Sequence, residues 1–416
     1  MVSNPAMDKM AYYWKTERVM KIGILTLHSQ VNYGGVLQAY ALQEVLKGLG
    51  HDVVVIDRWM DEHNATLHGI TASRSISAWI KFIGRAMLGF GDGADYIRHI
   101  RTARMLPKLL NLTHYSFHHW KDAPQDLGVD AIIVGSDQVW NPRLQGPELP
   151  YLLENAPNVP AISYAASFGV PAISGELRER YQEGFKRFSA ISVREEQGAR
   201  IVESLDGLAT HVLDPTLLAD ISVWNRFVGT NRLNNRRKLV CYLIHDPLGF
   251  VVKDLRRFAQ EQKCDVEIFF GGPCAFLPSN ICDLFRISSG PVRACLAPHI
   301  YTRAMATPAE FVHEISTADW VITDSFHALM FSTIFKKNVR VLRPRDGRGE
   351  SGFARLGEFS TKHIETDVFC NSYNEAFVSF LSGENVMYSD RTISEHKKTS
   401  LTWLQAELYN IEQQEH

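Results

Sequence analysis

Short unbroken apolar runs along this chain are followed by longer stretches of helical spacing, block after block. From Lys21, KIGILTLH is a β-rich apolar run and SQVNYGG a breaker cluster; VLQAYALQEVLKGLG then has helical spacing closed by Gly50, and VVVIDRW supplies a second strand. A β-α-β unit this early predicts a parallel sheet with ligand chemistry at the carboxyl ends of its strands. VDAIIVG (129–135) and AISYAASFG (161–169) read as buried strands, followed by the amphipathic ELRERYQEGFKRFSAI and a strand-like stretch ending in ISVRE. These segments form a first, doubly wound domain over 21–230. The run GTNRLNNRRK (229–238) has turn formers and charge but no apolar period, which marks a linker. Beyond it the alternation resumes with KLVCYLIHD, LGFVVKDLRRFAQEQ, VEIFFGG, TPAEFVHEISTA, WVITD, SFHALMFSTIF and VRVL, which predict a second α/β domain over 238–390. The helical periodicity in 391–416 suits a C-terminal helix that packs back on the first domain. The expected fold is therefore α/β, with two Rossmann-like domains facing across a cleft, the GT-B-like arrangement of sugar-transferring enzymes.

Composition narrows the partners. With 45% apolar and 22% charged residues in a chain of 416, disorder and collagen are excluded. The formal net charge of −2 offers no bulk attraction for nucleic acid, so no such partner is expected. The greasiest segment, ISAWIKFIGRAMLGFG, is broken by Lys81 and Arg85 and does not read as a membrane span. Asp8, Lys9, Lys15, Glu17 and Arg18 stand where a signal peptide needs an apolar core, so a cytoplasmic location is expected, with Met20 an alternative start. The six cysteines include no CxxC pair, which favours reduced thiols over a disulfide or zinc framework. In the basic helical insertion 71–110, seven Lys and Arg face two Asp, with Trp79, Phe82 and Phe90 interleaved. Such a stretch can rest peripherally on the anionic inner membrane surface; a solvated basic face is the alternative.

Candidate chemistry concentrates in WVITDSFHALMFSTIF. A strand ends at Asp324, Ser325 can cap the next helix, and His327 falls in its first turn, a geometry that suits an anion and a proton donor side by side. The alternative is a plain cap with a packing histidine. In the first βα turn, Asn32, Tyr33, Gly34 and Gly35 could let a ligand approach the backbone, or could simply form a turn needing positive φ. Ser136, Asp137, Gln138 and Asn141 of VGSDQVWNP could hydrogen-bond sugar hydroxyls, although Asp137 also suits a helix N-cap. Arg194, ending another strand, could hold a carboxylate or phosphate or pair with a neighbouring Glu. Asp214, Pro215 and Thr216 form a turn signature at the cleft. GRGESG (347–352) matches GxGxxG, but its charge and position speak against a dinucleotide. His114, His118 and His119 have metal-like spacing in a polar connector, yet no metal site is expected, and no DxD triplet occurs. His28 and His245 are reserve proton-transfer candidates.

In this order, NYGGVLQAYAL, VGSDQVWNP, ISYAASFG, ISVREE, VLDPTLL and TDSFHALMFS resemble the polysaccharide pyruvyl transferase family, over about Lys21 to Leu342. The resemblance implies a GT-B enzyme that moves a pyruvyl group from phosphoenolpyruvate onto a sugar hydroxyl pair of a glycan, or of its lipid-linked precursor, as a ketal, with phosphate released. It requires no cofactor beyond phosphoenolpyruvate as co-substrate. By that similarity His327 is the essential histidine of an SFHG-like motif and Arg194 grips the donor. Ala328 replaces the usual glycine, and Ser325 stands where some relatives carry a second donor-binding arginine. Arg355, or another residue of the GRGESGFAR loop, is the candidate replacement. A glycosyltransferase using a sugar nucleotide and a non-catalytic glycan-binding protein are the competing readings.

Overall fold

The structure, a computed structural model, describes residues 18–28, 32–59, 91–146, 148–229, 236–244, 252–270, 299–303, 305–343 and 350–414. His245, the first half of the basic insertion and the first half of GRGESG lie outside the described residues.

Two parallel sheets organise the chain. The first contains β1 (Lys21–Leu25), β2 (Asp52–Arg58), β3 (Leu112–Phe117), β4 (Ala131–Val134), β5 (Ala161–Ala166), β6 (Ala190–Val193) and β7 (Thr210–His211), in the order β3-β2-β1-β4-β5-β6-β7. The second contains β8 (Arg237–Leu243), β9 (Cys264–Phe270), β10 (Ile300–Thr302), β11 (Trp320–Thr323), β12 (Asn338–Leu342) and β13 (Phe369–Cys370), in the order β10-β9-β8-β11-β12-β13. Both follow the doubly wound order of dinucleotide-binding folds, so the architecture is α/β with two Rossmann-like domains. Central strands such as β1, β4 and β11 are buried along nearly their whole length, which is why they read as continuous apolar runs.

The helices that matter for the site are α1 (Tyr33–Gly48), α2 (Gly91–Leu109), α3 (Glu196–Glu203), α4 (Pro308–Thr317), α5 (Phe326–Ile334), α6 (Glu350–His363) and α7 (Asp390–Gln414). Their starts follow local chemistry. Asn32 accepts the Gly34 N–H at 3.0 Å to cap α1, Thr307 and Glu310 form a reciprocal capping box on α4, and Ser325 caps α5. The domains meet through an apolar seam. Tyr33 of α1 stacks on Phe311 of α4 with ring centroids 4.8 Å apart and also meets Tyr242 and Phe269 of the second sheet. Helix α7 lies against the first domain: Ser400 accepts the Leu213 N–H at 2.9 Å, Lys397 donates to the Ala219 carbonyl at 2.9 Å, and Leu404, Leu408 and Ile411 are fully buried.

The described half of the basic insertion is a brace between domains. Arg98 is buried, and Arg101 crosses to the second domain, donating to the Met305 carbonyl at 2.6 Å and to Glu310 at 2.8 Å. Of the cations expected to face a membrane, Arg98 is thus buried and Arg101 is committed to contacts with the second domain. No helix among the described residues is long and apolar enough to cross a membrane. The polar connector expected around His114 is the edge strand β3, whose half-exposed alternation hides the strand signal.

Candidate functional site

In each sheet the strand order reverses between the first strand and its second neighbour, at β1/β4 and at β8/β11, which opens a crevice at the carboxyl ends. The loops leaving those strands carry Asn32, Ser136–Gln138 and Asp324–His327. Arg194 leaves β6, and Asp214 follows β7.

Asp214 is the hub that joins these loops. One carboxylate oxygen, Oδ2, accepts from Arg194 Nη1 at 3.0 Å and Ser136 Oγ at 3.2 Å and lies 3.8 Å from His327 Nε2. The other, Oδ1, accepts the Thr216 N–H at 2.9 Å and the Thr216 hydroxyl at 2.6 Å. Burial opposes the charge, but His327, Arg194 and Thr216 outweigh it and hold the carboxyl below its usual range. Asp214 is therefore an ionised acid inside a folded core.

His327 crosses the domain boundary to meet Gly34. A Cβ built on Gly34 would lie 1.9 Å from His327 Nδ1, so the ring occupies the space a side chain would need. Gly34 and Gly35 are helical residues of α1. The expectation that they let a ligand approach the backbone is corrected: the missing Cβ of Gly34 admits an imidazole of the protein itself. Gly35 has a similar constraint, since a Cβ there would meet the Leu27 carbonyl at 2.6 Å. The ring is buried, and its Nε2 has no hydrogen-bond partner. Burial pushes its pKa down, Asp214 and Asp137 oppose that, and Arg194 and Arg355 add to it.

Gly34→Ala is expected to destabilise the protein by about 1–3 kcal/mol, as overpacking does. In a His327→Ala background the same change should cost little, because the ring it collides with is gone. Urea melts of both single variants and the double variant test this coupling; additive effects would contradict the contact.

Arg194 is buried and hemmed in by acids. Its Nε donates to Glu195 at 2.8 Å, its Nη1 binds Asp214, its Nη2 lies 3.6 Å from Asp137 Oδ1, and its guanidinium stands 4.3 Å over the Phe326 ring. Burial works against its charge, but the three carboxylates prevail and keep it protonated. The pairing with Glu195 that the sequence offered as an alternative is present, but in the interior, and Nη2 alone has no hydrogen-bond partner. Arg355 sits nearby on α6, a helix where the sequence suggested a loop. Burial and then the charge of Arg194 push its pKa down, and its Nε is also unpartnered. It lines a cavity of about 290 Å³ between α3 and α6, together with Phe168, Gly169, Glu195, Gly198 and Arg200. Ser167, at the end of β5, adds a buried hydroxyl without a hydrogen-bond partner.

Several nominated residues are structural. Ser136 is fully buried, its hydroxyl donating to Asp214 and its N–H to the side-chain oxygen Oε1 of Gln38, so it does not face a sugar. Asp137 adopts a left-handed backbone at φ 64° and turns toward Arg194. Gln138 accepts from Asn141 at 2.6 Å over Gly169, whose Cβ would strike it at 2.0 Å. Tyr33 belongs to the interdomain aromatic cluster. Asp324 accepts the Ile244 N–H at 2.6 Å, tying β8 to β11, and Ser325 acts as the cap of α5. His28 is locked by Asp57 at 3.0 Å, His118 by the Trp59 carbonyl at 3.1 Å and His119 by Glu148 at 2.7 Å. The last two therefore do not converge with His114 on a metal.

A second histidine group was not anticipated, because its members share no motif. His211 of β7, His363 of α6 and His396 of α7 form a buried stack, with His363 Nε2 3.1 Å from His396 Nδ1 and the His211 and His396 rings 4.8 Å apart. Burial first, and neighbouring positive charge after it, pushes all three down to about 4. Their unfolded value is about 6.5, so as pH falls from there toward 4 the unfolded chain takes up protons that the folded one refuses. Stability is expected to be full above pH 6.5 and to fall by roughly 1 kcal/mol per pH unit for each ring below it. Thermal melts across that window should show a shallower decline for His396→Gln; parallel curves would contradict the assignment.

Among solved structures, the chain is similar to the UDP-GlcNAc 2-epimerase of Methanocaldococcus jannaschii in complex with UDP-GlcNAc and UDP (TM-score 0.45, 10% identity, covering 92% of this chain and 100% of that one). It is also similar to the UDP-GlcNAc 2-epimerase of Neisseria meningitidis (TM-score 0.43, 11% identity, 92% and 99%) and to MurG of Acinetobacter baumannii (TM-score 0.37, 11% identity, 95% and 100%). No curated protein matches the sequence. The sequence profile described as "Polysaccharide pyruvyl transferase" matches residues 32–346, which take in α1, the Asp214 hub and the His327 helix. The chain belongs to the polysaccharide pyruvyl transferase family.

Proposed function

We propose that the protein transfers a pyruvyl group from phosphoenolpyruvate to a pair of hydroxyls on a glycan, or on its lipid-linked precursor, during cell-surface polysaccharide assembly in the cytoplasm. The observation that supports this most directly is the set of buried side-chain nitrogens without a hydrogen-bond partner: His327 Nε2, Arg194 Nη2 and Arg355 Nε. A trianionic enol phosphate ester has a carboxylate and a phosphate to offer two guanidiniums, with an enol carbon left for the imidazole.

In this reading Arg355 meets the donor from the cavity and Arg194 contributes its one uncommitted N–H, held rigid by Asp214 and Glu195. The same two cations depress the His327 pKa. An anion bound to them offsets their charge and returns the imidazole toward protonation. The imidazolium then protonates the methylene carbon, and the neighbouring carbon becomes oxocarbenium-like. A sugar hydroxyl adds and loses its proton to the neutral ring, which passes it to the phosphate as that group leaves; the second hydroxyl then adds to the same carbon, closes the ketal and returns its own proton to the ring. Asp214 stabilises the imidazolium stage through its charge at 3.8 Å.

Incubation with phosphoenolpyruvate and a panel of pyrophosphate-linked sugars tests the reading. Phosphate release matched by an acceptor mass gain of one pyruvate ketal is expected. A hexose gain with a sugar nucleotide would establish a glycosyltransferase instead, and glycan binding without turnover would establish a binding protein.

A further inference from the structure

Among the described residues, one group of three side chains gathers metal-ligating atoms: Glu196, His211 and Glu358 each offer one atom within 4.8 Å of the others. They come from the first turn of α3, from the edge strand β7 and from α6 in the second domain. The imidazole stands between the acids, Nδ1 3.8 Å from Glu196 Oε1 and Nε2 3.8 Å from Glu358 Oε1. Those separations are too long for hydrogen bonds, so the ring does not satisfy either carboxylate. The acids are also held side by side, because the Glu196 N–H donates to Glu358 Oε1. No Lys or Arg among the described residues forms an ion pair with either one.

An independent observation lies behind the imidazole. His396, 8% exposed, stands edge-on to His211 at 4.8 Å and is fixed through Nδ1 to His363, while its own Nε2 is buried without a hydrogen-bond partner. That edge-on contact fixes the plane of the His211 ring from behind.

We propose that Glu196, His211 and Glu358 bind a divalent transition-metal ion of the zinc class at the domain seam. Two carboxylates and one imidazole form a three-ligand set of the oxygen and nitrogen donors that Zn²⁺ takes, with a fourth position left for water. Zinc bonds of about 2.1 Å put tetrahedral ligand atoms about 3.4 Å apart, so the present spacing closes by side-chain torsions of the two glutamates. Glu196 follows Arg194 by two residues, and Glu358 lies one turn beyond Arg355. An ion here clamps together the two segments that carry the guanidiniums.

The test is Zn²⁺ binding to the metal-stripped full chain, followed by equilibrium dialysis and melting temperature, with no substrate present. One equivalent bound at micromolar free Zn²⁺, with a raised melting temperature, is the expected result. Glu196→Gln and Glu358→Gln should each weaken that equivalent at least tenfold while melting like the parent in chelator; His211→Asn should do the same. Glu196 is half-exposed, so its variant decides the matter even if His211→Asn fails to fold. Absence of a bound equivalent overturns the site. So does an equivalent that survives both glutamate changes, since the ion then sits elsewhere. Either failure leaves the pyruvyl-transfer reading untouched, because the dialysis involves neither donor nor acceptor.

Discussion

Replacing His327 with Gln is expected to lower turnover by about 10²–10⁴-fold, the range over which positioned acid–base groups act, while the protein stays folded. The ring lies 3.8 Å from Asp214 and feels the charges of both Arg194 and Arg355. Glutamine fills much of the same space beside Gly34 and keeps a hydrogen-bonding tip, so packing is largely retained while proton exchange is lost. Phosphate release from phosphoenolpyruvate in the presence of acceptor gives the rate, and a urea melt shows that the fold is intact. Turnover within a few-fold of the parent would remove His327 from the chemistry.

The second large effect concerns stability. Asp214→Ala should destabilise the protein by about 3–5 kcal/mol, because it leaves the buried Arg194 without its Nη1 partner and strands the Ser136 and Thr216 hydroxyls. Asp214→Asn keeps the shape and part of the hydrogen bonding and should cost less. Both should also lower turnover, since the carboxylate is the nearest anion to the imidazole. Urea unfolding of the three proteins settles the order; an alanine variant as stable as the parent would show that the hub does not hold the loops together.

The long apolar strands and the helices of SFHALMFSTIF and TPAEFVHEISTA were legible in the sequence because burial on both faces, or a regular helical period, leaves a local trace. The edge strands β3, β7, β10 and β13 were not, being short or half polar. Arg194 and His327 could be nominated from their places after a strand, and Asp214 from its turn signature. Their pairing could not, since it depends on how two sheets face each other. Gly34 shows the difference most clearly. A glycine after a strand has several explanations, and only the tertiary structure reveals a histidine from the other domain in the space of its Cβ. Arg355 was suggested as part of a loop because GRGESG is rich in breakers, yet α6 begins at Glu350 and carries it on a helix. His211, His363 and His396 left no signal at all, lying in three segments with no shared pattern.

Donor binding tests the central claim most directly, since it needs no knowledge of the acceptor. Calorimetric titration of the full chain with phosphoenolpyruvate should show one saturable site. Affinity should fall at least tenfold in Arg355→Ala, whose guanidinium faces the cavity, and change far less in His327→Gln. Failure of the parent to bind phosphoenolpyruvate, or equal affinity in Arg355→Ala, would contradict the account.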